Sequence, residues 1–148
     1  MKGKAVPFAF SLGVLALDQI LKGLVVARLS LGQSIPLIPG FLYLSRVHNT
    51  GSAFGLMGGR NYFLASIAAL IALGMGWGLW RGIFPGRWGK VGGSLVLGGA
   101  LGNLLDRVLR GYVVDYVDFR FFPAFNLADA AVVVGAAAMA AAFLWGKE

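Results

Sequence analysis

The chain reads as an α-helical integral membrane protein with four transmembrane helices. Three observations lead there. Of 148 residues, 58% are hydrophobic and only 13% are charged, where a soluble domain carries about a quarter. The mean hydropathy is +0.77. The apolar residues also gather in four stretches near the roughly 20 residues that a helix needs to cross a bilayer. So little charge cannot coat a water-facing surface, and lipid is the natural solvent for most of the chain. Residues 1–148 are expected to form one membrane-embedded domain.

The first span covers about residues 6–27. It follows Met1-Lys-Gly-Lys, a start that a cleaved signal peptide shares. The run is long for such a peptide, and it carries Asp18, Gln19 and Lys22, which the apolar core of a signal peptide rarely has. It is read as a retained span. The second span, about 62–80, has no charged residue. The third, about 91–109, is uncharged through Leu105. The fourth, about 127–146, holds the single charge Asp129 close to its start. Trp77, Trp80, Trp88 and Trp145 fall near span ends, as interfacial aromatics do. Gly74-x-x-x-Gly78, Gly98-x-x-x-Gly102 and the alanine-dense fourth span suit close helix contact.

Between the first two spans lies a long connection containing Pro36, Pro39 and Gly40. Its stretch 34–47 is apolar and β-prone, and is expected to form a small sheet or an amphipathic element on the membrane. The second outer connection, Arg110 to Asn126, is expected as a short loop rich in Asp and aromatics.

Four spans put both termini on one side. That side holds Lys2, Lys4, Arg81, Arg87, Lys90 and Lys147, and the other Arg28, Arg46, Arg60, Arg110 and Arg120, with Arg107 at its border. The tallies are nearly equal, and the density of charge in the short middle loop, Arg81 to Lys90, favours the termini inside. The excess of 13 Lys+Arg over 6 Asp+Glu, a net +7, flanks the apolar stretches. Anionic headgroups and topology account for it. No basic stripe with interleaved aromatics is present, so no nucleic-acid partner is expected.

Cysteine is absent and His48 is the one histidine. Disulfides, thiolate metal sites and Cys nucleophiles are therefore excluded, and so is a paired-histidine zinc site. Hydrolytic chemistry narrows to carboxylates or a Ser–Lys pair, with no metal and no cofactor expected.

Ionisable groups inside a membrane are costly, so each needs a reason. Asp18 and Lys22 stand at i and i+4, on one helical face. They form either a helix-positioning ion pair or a support for a site. Asn103, Asp106 and Arg107 stand at i, i+3 and i+4, with Gly99 one turn earlier. Asp106 with Arg107 reads as a structural clasp, and Asn103 as a donor to a substrate carbonyl. Asp115 follows the third span and Asp129 opens the fourth. Antiparallel spans joined by a short loop bring these ends together. Two carboxylates sharing a desolvated site cannot both ionise easily, so the pair holds one proton. Such a pair can activate water with one carboxylate and polarise a carbonyl with the other. Other readings stand beside this one. Asp129 can cap its helix, Asp115 can be a loop residue, and Asp118 competes with it. A proton relay of a transporter would string acids through the bilayer, whereas here they gather at one face. A non-catalytic assembly factor would need no acid pair.

Four blocks together resemble the lipoprotein signal peptidase (signal peptidase II) family. They are Asp18-Gln-Ile-Leu-Lys22, His48-Asn-Thr-Gly-Ser-Ala-Phe-Gly55, Gly98 to Arg107 continuing to Gly111-Tyr-Val-Val-Asp-Tyr-Val-Asp-Phe119, and Phe125-Asn-Leu-Ala-Asp129. The resemblance implies an intramembrane aspartic endopeptidase. It would cleave diacylglyceryl-modified prolipoproteins on the N-terminal side of the lipidated Cys. It implies Asp115 and Asp129 as the catalytic pair, in preference to Asp118. It implies that Asn49, Asn103, Asp106, Arg107 and Asn126 contact substrate or the inhibitor globomycin, and Gly99 is placed with them. Asp18 and Lys22 support. The family is a bacterial inner-membrane one, with cytoplasmic termini and a site near the outer face. The resemblance also implies a small extracytoplasmic β-cradle in the first outer loop, which the 34–47 stretch fits. The expected partners are the prolipoprotein, membrane lipid and globomycin, and a monomer suffices. Phe54 and Met57 are expected to close over the site as a lid.

Overall fold

The computed structural model describes residues 2–51 and 60–145; the lid expected at Phe54 and Met57 lies outside the described residues. The chain runs α1 (Lys2–Arg28), β1 (Ser34–Ile38), β2 (Leu42–Asn49), α2 (Arg60–Arg81), α3 (Gly86–Leu109), β3 (Val113–Asp118) and α4 (Leu127–Trp145). The four helices fall where the apolar stretches predict them.

Burial is inverted relative to a soluble bundle. The largest fully buried side chains include Lys22, Asn126, Asp18 and Asp106. Leu12, Ile20, Leu70, Leu73, Val133 and Phe143 are exposed. That distribution suits a lipid solvent, in which apolar groups face out and polar ones must be satisfied inside. Among the described residues, three helices are long and apolar enough to cross a membrane: Ala5–Arg28, Arg60–Arg81 and Leu127–Trp145. The fourth predicted span, α3, differs. Its glycines and the charges near its ends lower its hydropathy, and it is the most buried helix, packed against α1, α2 and α4. Protein takes the place of lipid on most of its surface.

Close approach is what the α3 glycines supply. A Cβ on Gly98 would stand 2.7 Å from the Ser11 carbonyl oxygen of α1, and one on Gly92 2.5 Å from the Gly135 carbonyl oxygen of α4. Of the other predicted pair, Gly78 makes room for the Phe84 ring, but Gly74 has nothing within 4 Å and serves no helix contact. The turn after α2 explains Phe84. Gly82, at φ +70, donates to Leu79 O, and Ile83 donates to Gly78 O, a double bond pattern that stops the helix and folds the chain back.

The expected β-cradle forms, with one correction. The antiparallel sheet has the order β1-β2-β3, and its third strand comes from the connection after α3, predicted as a loop. Val113, Val114 and Tyr116 are apolar or aromatic and buried, so the segment completes a sheet and joins Val25 and Leu29 of α1 in a small core. The register carries the decisive detail. Leu44 pairs with Val117 but Val47 pairs with Asp115, so β2 spends one extra residue there. Such a bulge shifts every later side chain to the other face. Asn49 thereby pairs with Val113 and shares a face with Asp115; an unbulged ladder would have put it on the opposite face.

Candidate active site

The site forms where β3 meets the start of α4, above the end of α3. Asn126 is the residue before α4, and its Oδ1 accepts the Asp129 N–H at 2.9 Å. Asp129 Oδ2 in turn accepts the Asn126 N–H at 3.2 Å. This reciprocal pair, three residues apart, is a capping box. Helix capping therefore fixes Asp129 in place, as one reading of that residue expects. Its other oxygen accepts from Asn103 Nδ2 at 2.7 Å.

Asp115 is 2% exposed. Asn126 Nδ2 donates to its Oδ1 at 2.7 Å and Asn49 Nδ2 to its Oδ2 at 3.0 Å. Asn126 thus bridges the two aspartates, using its side chain for Asp115 and its backbone for Asp129. Burial, and then the Asp129 charge, push the Asp115 carboxyl up to about 6 against the opposing pull of the two asparagines and Lys22.

Asp118 has a different environment. Ser45 Oγ donates to it at 2.8 Å, the Arg120 N–H at 2.9 Å, and the Arg120 guanidinium stands 3.5 Å away. Slight burial works to raise its carboxyl, but these partners hold it below the ordinary range. It faces away from the other two acids and pins a turn.

Beneath the pair lies a charged layer with no exposed side chain. Lys22 Nζ reaches Asp18 Oδ2 at 2.8 Å, Asp106 Oδ2 at 3.1 Å and Asn103 Oδ1 at 3.0 Å. All three ammonium protons are used. Asp18 Oδ1 accepts the Ala128 N–H, and Asp106 Oδ2 the Val114 N–H, both at 3.1 Å. Gln19 Nε2 adds donations to Asp106 at 3.1 Å and Asp18 at 3.2 Å. The sequence marks Gln19 only as a polar residue of the first span; the structure adds it to the charged layer.

The clasp expected between Asp106 and Arg107 is not made. Adjacent residues on a helix point about 100° apart and do not face each other. Asp106 looks toward α1 and Lys22. Arg107 looks into a groove of about 280 Å³ with Leu64, Ile67, Ile71, Asn103, Asp129 and Val132 on its walls. There the guanidinium feels Asp129 first and Asp115 second, and its Nε has no hydrogen-bond partner among the described residues. Asn103, read as a donor to substrate, gives its amide N–H to Asp129. Gly99 lies against the Ala128 carbonyl of α4, where it lets the two helices touch just below the aspartates.

The model of a family described as signal peptidase (SPase) II matches residues 10–145. The lipoprotein signal peptidase of Halothermothrix orenii is 42% identical over 135 residues, spanning 91% of this chain and 92% of its own. That of Brevibacillus brevis is 40% identical over 138 residues, spanning 91% and 93%. Two solved structures are described as a bacterial membrane enzyme obtained by the in meso method, at 2.3 and 1.9 Å resolution. They superpose with TM-scores of 0.84 and 0.83 at 30% identity, covering 97% of this chain and 92% and 95% of theirs.

Proposed function

The chain belongs to the signal peptidase II family and is a peptidase, and from that premise we propose that it removes signal peptides from diacylglyceryl-modified prolipoproteins with Asp115 and Asp129 as a catalytic pair. Cleavage falls on the N-terminal side of the lipidated Cys. The observation that carries this reading is the Asn126 bridge, which holds two carboxylates from different elements at one place.

Asp115 holds the shared proton, since burial and its neighbour's charge push it up to about 6. Asp129, beside Arg107 and two N–H donors, takes a proton from water. The water oxygen bonds to the scissile carbonyl carbon as Asp115 gives its proton to the carbonyl oxygen. The resulting gem-diol collapses: Asp129 gives its proton to the leaving nitrogen of the lipidated Cys as the C–N bond breaks, and Asp115 takes the proton of one gem-diol hydroxyl, so the pair returns to its singly protonated state. Neither a metal nor a covalent intermediate is needed for this balance.

The groove between α2, α3 and α4 suits the substrate. Its walls are mostly aliphatic and it ends on Asn103, Arg107 and Asp129. A membrane-borne signal peptide enters sideways while water reaches the acids from the sheet side. All four helices span the bacterial inner membrane, with cytoplasmic termini and the site near the outer face. Asn49, Asn103, Arg107 and Asn126 surround the bound peptide or globomycin, and a monomer carries every group required.

Purified protein acting on a diacylglyceryl-prolipoprotein tests this by gel shift. Wild type cleaves and globomycin blocks cleavage. Asp115→Asn and Asp129→Asn are each folded and inactive, while Asp118→Asn stays active. Cleavage retained in either of the first two variants sinks the two-aspartate mechanism.

A further inference from the structure

Tyr116 has no part in the chemistry above, yet it is 7% exposed and lies next to Asp115. Side chains alternate across a strand. Asp115 faces Asn49 and Asn126, and Val114 and Tyr116 face the other way, onto Val25 and Leu29 at the end of α1. From there the phenol reaches the start of α4. Tyr116 Oη accepts the Leu127 N–H at 3.1 Å. Leu127 is the first residue of α4, and its N–H is one of those a helix cannot satisfy from within. The next ones go to Asp18, to the Asn126 side chain and to the Asn126 carbonyl. The Tyr116 backbone N–H also binds Phe125 O at 3.0 Å. Main chain and side chain of one residue therefore tie β3 to the approach of α4.

We infer that Tyr116 is a positioning residue: by holding the first N–H of α4 it fixes β3 against that helix start, and so fixes the separation of the Asp115 and Asp129 carboxylates. This rests on the two-aspartate reading. The phenol is suited to the task. Its ring is wedged against α1, and burial pushes the hydroxyl up to about 12, so it stays neutral well above physiological pH.

Tyr116→Phe keeps the ring and removes the acceptor. The turnover number is expected to fall by about 10- to 100-fold, the scale of a small misplacement of reacting groups, with KM within about two-fold. The alkaline limb of the pH–rate profile should also move to lower pH, because carboxylates that drift apart repel each other less and release the shared proton sooner. A merely structural role would lower the active fraction and leave that limb in place. Leu127→Pro supplies the second variant. Proline fits the first helical position and has no N–H, so the bond is lost without leaving a buried donor unpaired. It should fold, lose turnover to a similar degree and shift the same limb, and the double variant should lose no more. Wild-type turnover in either single variant, or a loss with an unmoved limb, overturns the inference. If Asp115→Asn still cleaves, the two-aspartate reading and this one fall together. If Asp115→Asn is inactive and Tyr116→Phe behaves as wild type, only this one falls.

Discussion

Asp18 and Asp106 share a single cation: Lys22 Nζ stands 2.8 Å from the first carboxylate and 3.1 Å from the second. Each also accepts the N–H of the residue just before one of the candidate catalytic aspartates, Ala128 before Asp129 and Val114 before Asp115. The charged layer is thus a shelf under both acids.

Removing the cation alone should be severe. Lys22→Met leaves two fully buried carboxylates facing each other, and breaking a buried pair typically costs about 3–5 kcal/mol. Asp18→Asn combined with Lys22→Met removes one of those charges and keeps an oxygen for the Ala128 N–H. The double variant should therefore unfold at a higher temperature in detergent than Lys22→Met alone. A double variant as unstable as the sum of the two singles would show that the pair is not coupled.

The Asp115 carboxyl gives a pH dependence with a definite sign. Its folded value is raised from 3.8 to about 6, so the fold favours the protonated form. The stability it contributes is complete below about pH 4 and is lost as pH rises through about 6. A rise of that size corresponds to about 3 kcal/mol at most. Thermal unfolding of wild type and Asp115→Asn should accordingly diverge in favour of the variant between about pH 4 and pH 7, then run parallel. On the proposed two-aspartate mechanism, the shared proton is lost over the same range. The alkaline limb of kcat/KM should lie near 6 in free enzyme, and that of kcat higher, because bound peptide excludes more water. Two parallel unfolding curves across the whole range would contradict the raised value.

Which parts of this site the sequence disclosed follows from the range of each interaction. Asn126 and Asp129 lie three residues apart, and their capping box is local, so both the cap and the placement at a helix start were legible. Asp18 with Lys22 was legible for the same reason, as an i, i+4 pair. The choice between Asp115 and Asp118 was not. It rests on contacts made across the sheet and to the start of α4, with Asn49 and Asn126 on Asp115 and Ser45 on Asp118, and no local pattern marks them. The closer ion-pair partner of Asp106 was hidden likewise: Lys22 belongs to another helix, whereas the local pair with Arg110, four residues on, is looser at 3.7 Å.

Asn126 can separate capping from catalysis. It is fully buried, and its Nδ2 serves Asp115 at 2.7 Å and Asn103 Oδ1 at 3.1 Å. Asn126→Asp keeps an equally good helix cap but turns the donor into a third acid. The variant should fold, with α4 intact, and lose cleavage by about 100-fold or more, the usual scale for displaced acid–base groups. Asn126→Ala should lose about 1 kcal/mol of cap as well. Near-normal cleavage by Asn126→Asp in the gel-shift assay would remove the bridge from the mechanism.

The glycines on α2 and α3 should respond in opposite directions. A Cβ on Gly102 would stand 2.5 Å from Asp18 Oδ2, and Asp18 cannot yield, since Lys22 and the Ala128 N–H hold it. Gly102→Ala should therefore push α1 off α3 and cost about 1–3 kcal/mol, the usual scale for overpacking. Because the displaced oxygen belongs to the shelf under the acids, cleavage should fall with it. Gly74 has open space within 4 Å, and in a helix interior alanine is favoured over glycine by up to about 1 kcal/mol. Gly74→Ala should hold or raise the unfolding temperature and leave cleavage unchanged. Equal behaviour of the two variants would mean that α1 and α3 are not in the tight contact on which the shelf depends.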